Sequence, residues 1–226
     1  MSDKELIKKI KAGPFRMLIF GSSGSGKSHF LTHTMLPLIK TNYDEFVVFT
    51  RAFNKSFFQK MFQTKMKPHI PMFHIGIEGI LDKIEDIKEK QMENVKTWDK
   101  YGNPIFRTNI MFVFDDILNE KLFKNDEFLE VFANLRHLQI STILCTQITN
   151  KVISTQMKCN TNFFVIFKLN DEIQQRFPLA RIREAINKDG IIESRKLKRK
   201  AINIYNDRLI RKKYGYLIID DEAILY

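Results

Sequence analysis

Eight consecutive residues, Gly21-Ser22-Ser23-Gly24-Ser25-Gly26-Lys27-Ser28, have the composition of a phosphate cradle. Glycines let a backbone turn tightly and approach a phosphate with no Cβ in the way. The N–H groups of such a loop, with the start of the following helix, make a pocket of positive potential. At the spacing G-x-x-x-x-G-K-[ST], Lys27 is expected to reach the β- and γ-phosphates of ATP. Ser28 is expected to offer its hydroxyl to Mg²⁺. Gly21 through Ser28, with His29 beside them, are the candidate nucleotide-binding residues. A flexible Ser/Gly turn with a chance lysine has the same composition. Context separates the two: a P-loop needs a strand before it and a helix after it.

Hydrolysis needs more than a cradle. Asp115 closes the apolar run Ile110-Met111-Phe112-Val113-Phe114 and is placed to hold Mg²⁺ beside Ser28. Lys27 and Asp115 are expected to face one magnesium-bound triphosphate from adjacent strand tips. Asp116 is the candidate base for the attacking water, a role that a carboxylate of either length can fill; capping the next helix is its other use. Gln147 ends a further apolar run and is a candidate to orient water or sense the γ-phosphate. An arginine is also wanted, to neutralise charge that develops in the transition state. Arg136 is the first candidate and Arg51 the second; either could be a plain surface residue.

These residues need strands and helices to hold them. Phe15 to Phe20 reads as the first strand, and a helix begins near Lys27 and weakens at Pro37, which has no N–H to donate. Glu45 to Thr50 reads as a second strand, one crossover helix later, so the two can lie parallel. Phe53 to Met66 is a candidate helix, and Met72 to Ile75 a short strand. Ile77, Ile80, Leu81, Ile84 and Ile87 recur at helical spacing, in a helix expected to end before the turn Tyr101-Gly102-Asn103-Pro104. The single Trp98 near its end reads as a packing residue. Ile110 to Phe114 looks like a central strand covered on both faces. A helical pattern follows from Leu122 to Leu135, then strands at Ile140–Gln147, Asn162–Leu169 and Tyr214–Ile219. Strand and helix alternate throughout, which predicts a three-layer α/β domain with a mainly parallel sheet.

The whole composition fits one such domain. A chain of 226 residues with 44% hydrophobic content can fill one sizeable core. No apolar run approaches the roughly 18 residues of a membrane span. Met1-Ser2-Asp3-Lys4-Glu5-Leu6 has no signal-peptide character. The two cysteines, Cys145 and Cys159, form neither a disulfide framework nor a metal-ligand spacing, and an intracellular setting is expected. Cys145 reads as a buried thiol. The five histidines form no metal site either. The net charge of +11 favours a polyanionic partner such as nucleic acid, although a lysine-rich proteome would leave the same trace. Residues 1–13 form a basic lead-in. Between 181 and 213 there are 12 Lys/Arg against four acids, the larger part of the net charge. That segment, with Tyr205, Tyr214 and Tyr216 in or beside it, could contact a phosphate backbone or be a solvated helix face. The end is acidic, Asp220-Asp221-Glu222.

Taken together, the motifs resemble those of the genome-packaging ATPases of large double-stranded DNA viruses and virophages, a branch of the FtsK–HerA translocases. The carrying residues are Gly21 to Ser28, Met111 to Asp116 and, most specifically, Leu135-Arg136-His137-Leu138-Gln139-Ile140-Ser141-Thr142-Ile143-Leu144-Cys145-Thr146-Gln147. Tyr214 to Asp220 is similar to the family's C-terminal strand, so the likeness spans roughly residues 14–220. The resemblance implies a RecA/ASCE-like P-loop domain and an ATP-driven motor that threads double-stranded DNA into a preformed capsid. It implies a homo-oligomeric ring, usually of about five or six subunits, with ATP at the interfaces and capsid or portal proteins as partners. Arg136 lies where the family has an Arg-His pair, and could serve as a neighbour's arginine or as a switch within its own subunit. The implied location is the host cytoplasm or viral factory, with association with the virion left open. Asp116 stands where many relatives of the wider superfamily have Glu.

Three other classes compete. A P-loop nucleotide or polynucleotide kinase fits the loop, but no arginine-rich lid stands in the middle region. A GTPase needs Asn-Lys-x-Asp, and Asn150-Lys151-Val152-Ile153 lacks the aspartate; Asp115-Asp116-Ile117-Leu118 lacks the glycine of Asp-x-x-Gly. A nucleic-acid-binding protein without enzymatic activity leaves Lys27 and Asp115 without a purpose.

Overall fold

The run Ile110 to Phe114 has no polar residue to turn toward water, and every one of its side chains is buried. Alternate residues go to opposite faces of the sheet, as the period-2 geometry of a strand requires. Ile110, Phe112 and Phe114 enter one hydrophobic core, and Met111 and Val113 the other. The first strand splits the same way, Leu18 and Phe20 against Met17 and Ile19. Two cores on two faces of one sheet make three layers, as the alternation of elements predicts.

A computed structural model describes residues 3–11, 13–117, 121–147, 153–187, 190, 192–220 and 224. In chain order the elements begin with α1 (Asp3–Lys11), β1 (Arg16–Phe20) and α2 (Lys27–Phe30), which runs through a π-turn, Leu31–Met35, into α3 (Leu36–Ile39). Next come β2 (Glu45–Thr50), α4 (Ala52–Thr64), β3 (Met72–Ile75), α5 (Ile80–Glu93), β4 (Val95–Trp98) and β5 (Pro104–Phe106). The second half holds β6 (Ile110–Asp115), α6 (Asp126–Ala133), β7 (Ile140–Thr146), α7 (Thr155–Cys159) and β8 (Phe163–Phe167). It closes with α8 (Glu172–Ile186), α9 (Ser194–Tyr205) and β9 (Tyr216–Asp220). Met1, Ser2, Lys188, Asp189 and the acidic Asp221-Glu222 lie outside the described residues.

The main sheet has the order β3-β2-β6-β7-β1-β8-β9. It is parallel except for β9, which runs antiparallel to β8. The consecutive strands β1 and β2 are parallel but not neighbours, because β6 and β7 lie between them. Burial decides this order. The strands whose residues are all buried, β6, β7, β1 and β8, lie inside the sheet, while β3, all of whose residues are exposed or half-buried, closes an edge. The expectation that Lys27 and Asp115 project from adjacent strand tips is therefore corrected: β7 stands between β1 and β6, and the end of β7 lies between the two groups.

Two local expectations hold and two change. The helix after the P-loop weakens at Pro37, as expected: a π-turn precedes the ring and the regular helix ends at Ile39. The π-turn absorbs the ring, with Leu36 N–H bonding the Leu31 carbonyl one residue further back than in an α-helix. The helix at Ile80 ends before the Tyr101 turn, as expected, at Glu93, where buried Gln91 donates to the carbonyls of Thr108 and Leu138. Beyond it, β4 and β5 form a two-stranded hairpin, and Tyr101-Gly102-Asn103 is its turn, organised by the Asp99 carboxylate. Trp98 is on this hairpin and is 61% exposed, so it is not a packing residue. Finally, the last strand starts at Tyr216, which leaves Tyr214 and Gly215 in the turn before it.

The basic lead-in is an amphipathic helix. Leu6 and Ile10 of α1 are buried in the second core, and Lys9 pairs with Asp220 of β9.

Candidate active site

Parallel strands put all their C-terminal ends on one edge, and ligands of such sheets bind there. The P-loop leaves β1 at that edge, Asp115 and Asp116 leave β6, and Gln147 leaves β7. They line one cleft of about 310 Å³, together with Asn54 from the first turn of α4 and with His29.

The loop is anchored to the next strand over. Ser22 N–H donates to the Lys168 carbonyl at 2.9 Å, and Ser22 Oγ accepts from Asn170 N–H at 2.9 Å. The Lys27 ammonium donates to the carbonyls of Gly21 (2.8 Å) and Ser22 (2.9 Å). Burial lowers its pKa, and the nearby carboxylates of Asp115 and Asp116 work against that. Gly26 takes φ +104°, a region that L side chains rarely adopt, and its carbonyl accepts the first helical bond from Phe30 N–H. His29 is exposed and stacks on His33, with ring centroids 4.1 Å apart.

Facing the loop, Ser28 Oγ donates to Asp115 Oδ1 at 3.3 Å, and Asn54 Nδ2 donates to Asp115 Oδ2 at 3.1 Å. Asp116 has φ +56°. This left-handed turn, which aspartate tolerates better than most residues, sends its side chain back over the cleft. There Asp116 Oδ1 accepts from Gln147 Nε2 at 3.0 Å, and Oδ2 lies 4.0 Å from Arg51 Nε. Asn125, not Asp116, caps α6.

Arg51, just past β2, thus stands beside this cleft through Asp116. Arg136 does not. It is exposed in the short turn Leu135–Leu138 that leads into β7, at the opposite edge of the sheet. The length of β7 separates it from Gln147 by about 20 Å. Its neighbour there is Arg16, whose guanidinium is buried and donates to the carbonyls of Ala133 and Asn160. Cys145 is buried in β7, as expected.

The oxygen donors suit a hard divalent cation. Among the described residues, no group of three or more His, Cys, Asp or Glu could hold a metal alone. Magnesium does not require one, because it uses one or two carboxylates and completes its shell with water and substrate phosphates. Burial first, and then the repulsion of Asp116, push the Asp115 carboxyl up to about 6. A cation at Asp115 would relieve that strain.

The family described as Poxvirus A32 protein matches residues 4–225, nearly the whole chain. The chain belongs to the poxvirus A32 family. Its relatives include the DNA packaging protein OPG160 of Variola virus, 27% identical over 158 residues that make up 70% of this chain and 54% of that protein. The protein of the same description from Vaccinia virus (strain Copenhagen) is 26% identical over an equal span. The chain spans about half the length of these curated relatives. Among solved structures, the genome packaging NTPase B204 from Sulfolobus turreted icosahedral virus 2, in complex with sulfate, superposes with a TM-score of 0.58. The two are 15% identical, over 93% of this chain and 94% of that one. EssC (ATPases 2 and 3) from Geobacillus thermodenitrificans gives 0.51 at 17% identity, over 71% of this chain and 33% of that one. This A32-family chain therefore has the P-loop ATPase fold, and its resemblance to proteins that package viral genomes is borne out.

Sequence reading of this family member missed Asn54. Its signal was an amide in the first turn of the helix that follows a strand tip, which means little until β2 and β6 are known to be neighbours. The raised Asp115 pKa also has a consequence for stability. The folded protein binds this proton more tightly than the unfolded chain, whose usual value is 3.8. The contribution is therefore present below that value and lost as the pH rises through about 6, an effect of about 3 kcal/mol. In the absence of divalent ions, Asp115→Asn should melt several degrees above the wild type at neutral pH. The gap should close as the pH falls toward 4. Equal melting temperatures at neutral pH, followed by calorimetry or circular dichroism, would show that Asp115 ionises there at no cost.

Proposed function

We propose that this chain hydrolyses ATP to drive double-stranded DNA into a viral capsid. The observation that carries this reading is the convergence of Lys27, Ser28, Asp115, Asp116 and Gln147 on one cleft at the sheet edge, with Arg51 beside Asp116. The names of the relatives support the packaging role.

In this reading Lys27 exchanges its two loop carbonyls for phosphate oxygens. Ser28 and Asp115 would hold Mg²⁺, with Asn54 orienting the carboxylate. When bound there, the ion would supply positive charge to the phosphates. Gln147 aligns a water against Asp116. The water oxygen bonds to the γ-phosphorus, the bond to the bridging oxygen breaks, and Asp116 takes the proton. ADP and phosphate leave. Arg51 compensates Asp116 within the subunit.

Arg136 can serve only a nucleotide on another copy, because its own lies across the sheet. This favours a head-to-tail ring, in which each subunit completes its neighbour's site. Arg136→Ala should bind ATP but release little phosphate. Mixing it with Lys27→Ala should restore part of the activity, because an interface that joins one protein's Lys27 to the other's Arg136 is intact. No recovery across a range of ratios would refute the shared site.

The basic stripe Arg195, Lys196, Lys198, Arg199 and Lys200 is exposed along α9, while Ala201 and Tyr205 are buried. It would meet the phosphate backbone, a contact that carries no sequence information and so suits a packaging motor. Capsid or portal proteins and a place of action inside the infected cell belong to the same proposal. No described helix is long and apolar enough to cross a membrane. The test is phosphate release with and without long duplex DNA, with a nucleoside monophosphate panel as control. Stimulation by duplex that weakens as salt rises is expected. Phosphate transfer to a monophosphate, with no response to DNA, would establish a kinase instead.

A further inference from the structure

A second cleft, of about 300 Å³, adjoins the P-loop on the side away from Asp115. Ser23, Gly24 and Ser25 line both clefts, so one elongated ligand can lie across the loop with an end in each. The far wall of the second cleft is the turn before β9, Lys212 to Gly215.

Tyr214 in that turn is unusual in three ways. Its φ is +60°, a conformation that costs an aromatic residue free energy and is rarely kept without a use. Its ring is 60% exposed, yet it lies against the P-loop: a Cβ on Gly26 would stand 3.2 Å from Tyr214 Cδ1. The turn is also locked. Gly215 N–H donates to the Lys212 carbonyl at 3.1 Å, and a Cβ on Gly215 would fall 1.9 Å from the Arg208 carbonyl oxygen. An aromatic ring thus stands on a constrained turn beside a phosphate loop, with Lys213 Nζ 5.4 Å from its centroid.

We propose that the Tyr214 ring is the platform on which the base of the bound nucleotide stacks. This rests on the nucleotide reading of the P-loop and adds to it the subsite for the other end of the ligand. Stacking needs only a π-face, so the platform grips any base. The constrained turn places the ring against Gly26 before a ligand arrives, which lowers the entropy lost on binding.

Calorimetric titration of the full chain with ATP and, separately, with inorganic tripolyphosphate tests this. Tripolyphosphate has the phosphates and no base. Tyr214→Gly removes the ring and also the cost of positive φ, while Tyr214→Phe keeps both. Tyr214→Gly should lose about tenfold or more in ATP affinity and bind tripolyphosphate as the wild type does. Tyr214→Phe should match the wild type with both ligands. Unchanged ATP affinity in Tyr214→Gly would overturn the proposal. An equal loss for ATP and tripolyphosphate would overturn it too, by showing that the residue only shapes the loop. Failure of the wild type to bind either ligand would instead overturn the nucleotide reading, and this subsite with it.

Discussion

Lys27→Ala should bind ATP too weakly to measure and release no phosphate above background. The ammonium is the only cation that the P-loop itself contributes, and it sits in a half-buried pocket where charge interactions are strong. Losing a preorganised charged donor costs on the order of 10²–10³-fold in turnover, on top of the loss in binding. The fold should survive. Among the described residues Lys27 donates only to carbonyls of its own loop, and the cores on both faces of the sheet do not include it. A folded Lys27→Ala protein with unchanged turnover would remove the site proposed here.

Asp116→Asn should separate binding from chemistry. Asparagine keeps an oxygen for Gln147 Nε2 and nearly the same shape, but it cannot take a proton from water. Turnover should fall by about 10²–10⁴-fold with ATP still bound. The expected readout is ATP recovered intact with the protein after long incubation. A second effect follows from the same change. Asp116 is the second cause of the raised Asp115 pKa, so its neutralisation should let Asp115 ionise at lower pH. Divalent-ion binding should then extend to more acidic solution than in the wild type. Normal phosphate release would assign the base elsewhere and leave Asp116 as an anchor for Gln147 and Arg51.

These two experiments target residues that the sequence singles out unaided. Gly21 to Ser28 are recognisable because the phosphate chemistry lies within eight neighbouring residues. Asp115 and Asp116 are recognisable because an unbroken apolar run can end in charge only where the strand leaves the core. Strand β2 matches the expected Glu45–Thr50 to the residue, and β6 extends its predicted run by Asp115 alone, since a short buried strand leaves a complete local record in its side chains.

What lay outside such windows could not be read. The order of strands is a competition for the middle of the sheet, and it placed β7 between Lys27 and Asp115. The same order brought Asn54 to Asp115 across 61 residues of chain and Arg51 to Asp116. Arg136 looked like a partner of the site because it precedes Gln147 by one strand, yet a strand's two ends lie at opposite edges of a sheet. Tyr214 read as the start of a strand until the antiparallel pairing of β8 with β9 put it in a turn beside the P-loop. Sequence by itself determined the fold class, the phosphate loop and the paired aspartates, because short-range sterics and burial encode them. Only the tertiary structure decided which arginine stands beside their cleft and which ring borders the loop, because those are proximities between distant segments, set by packing.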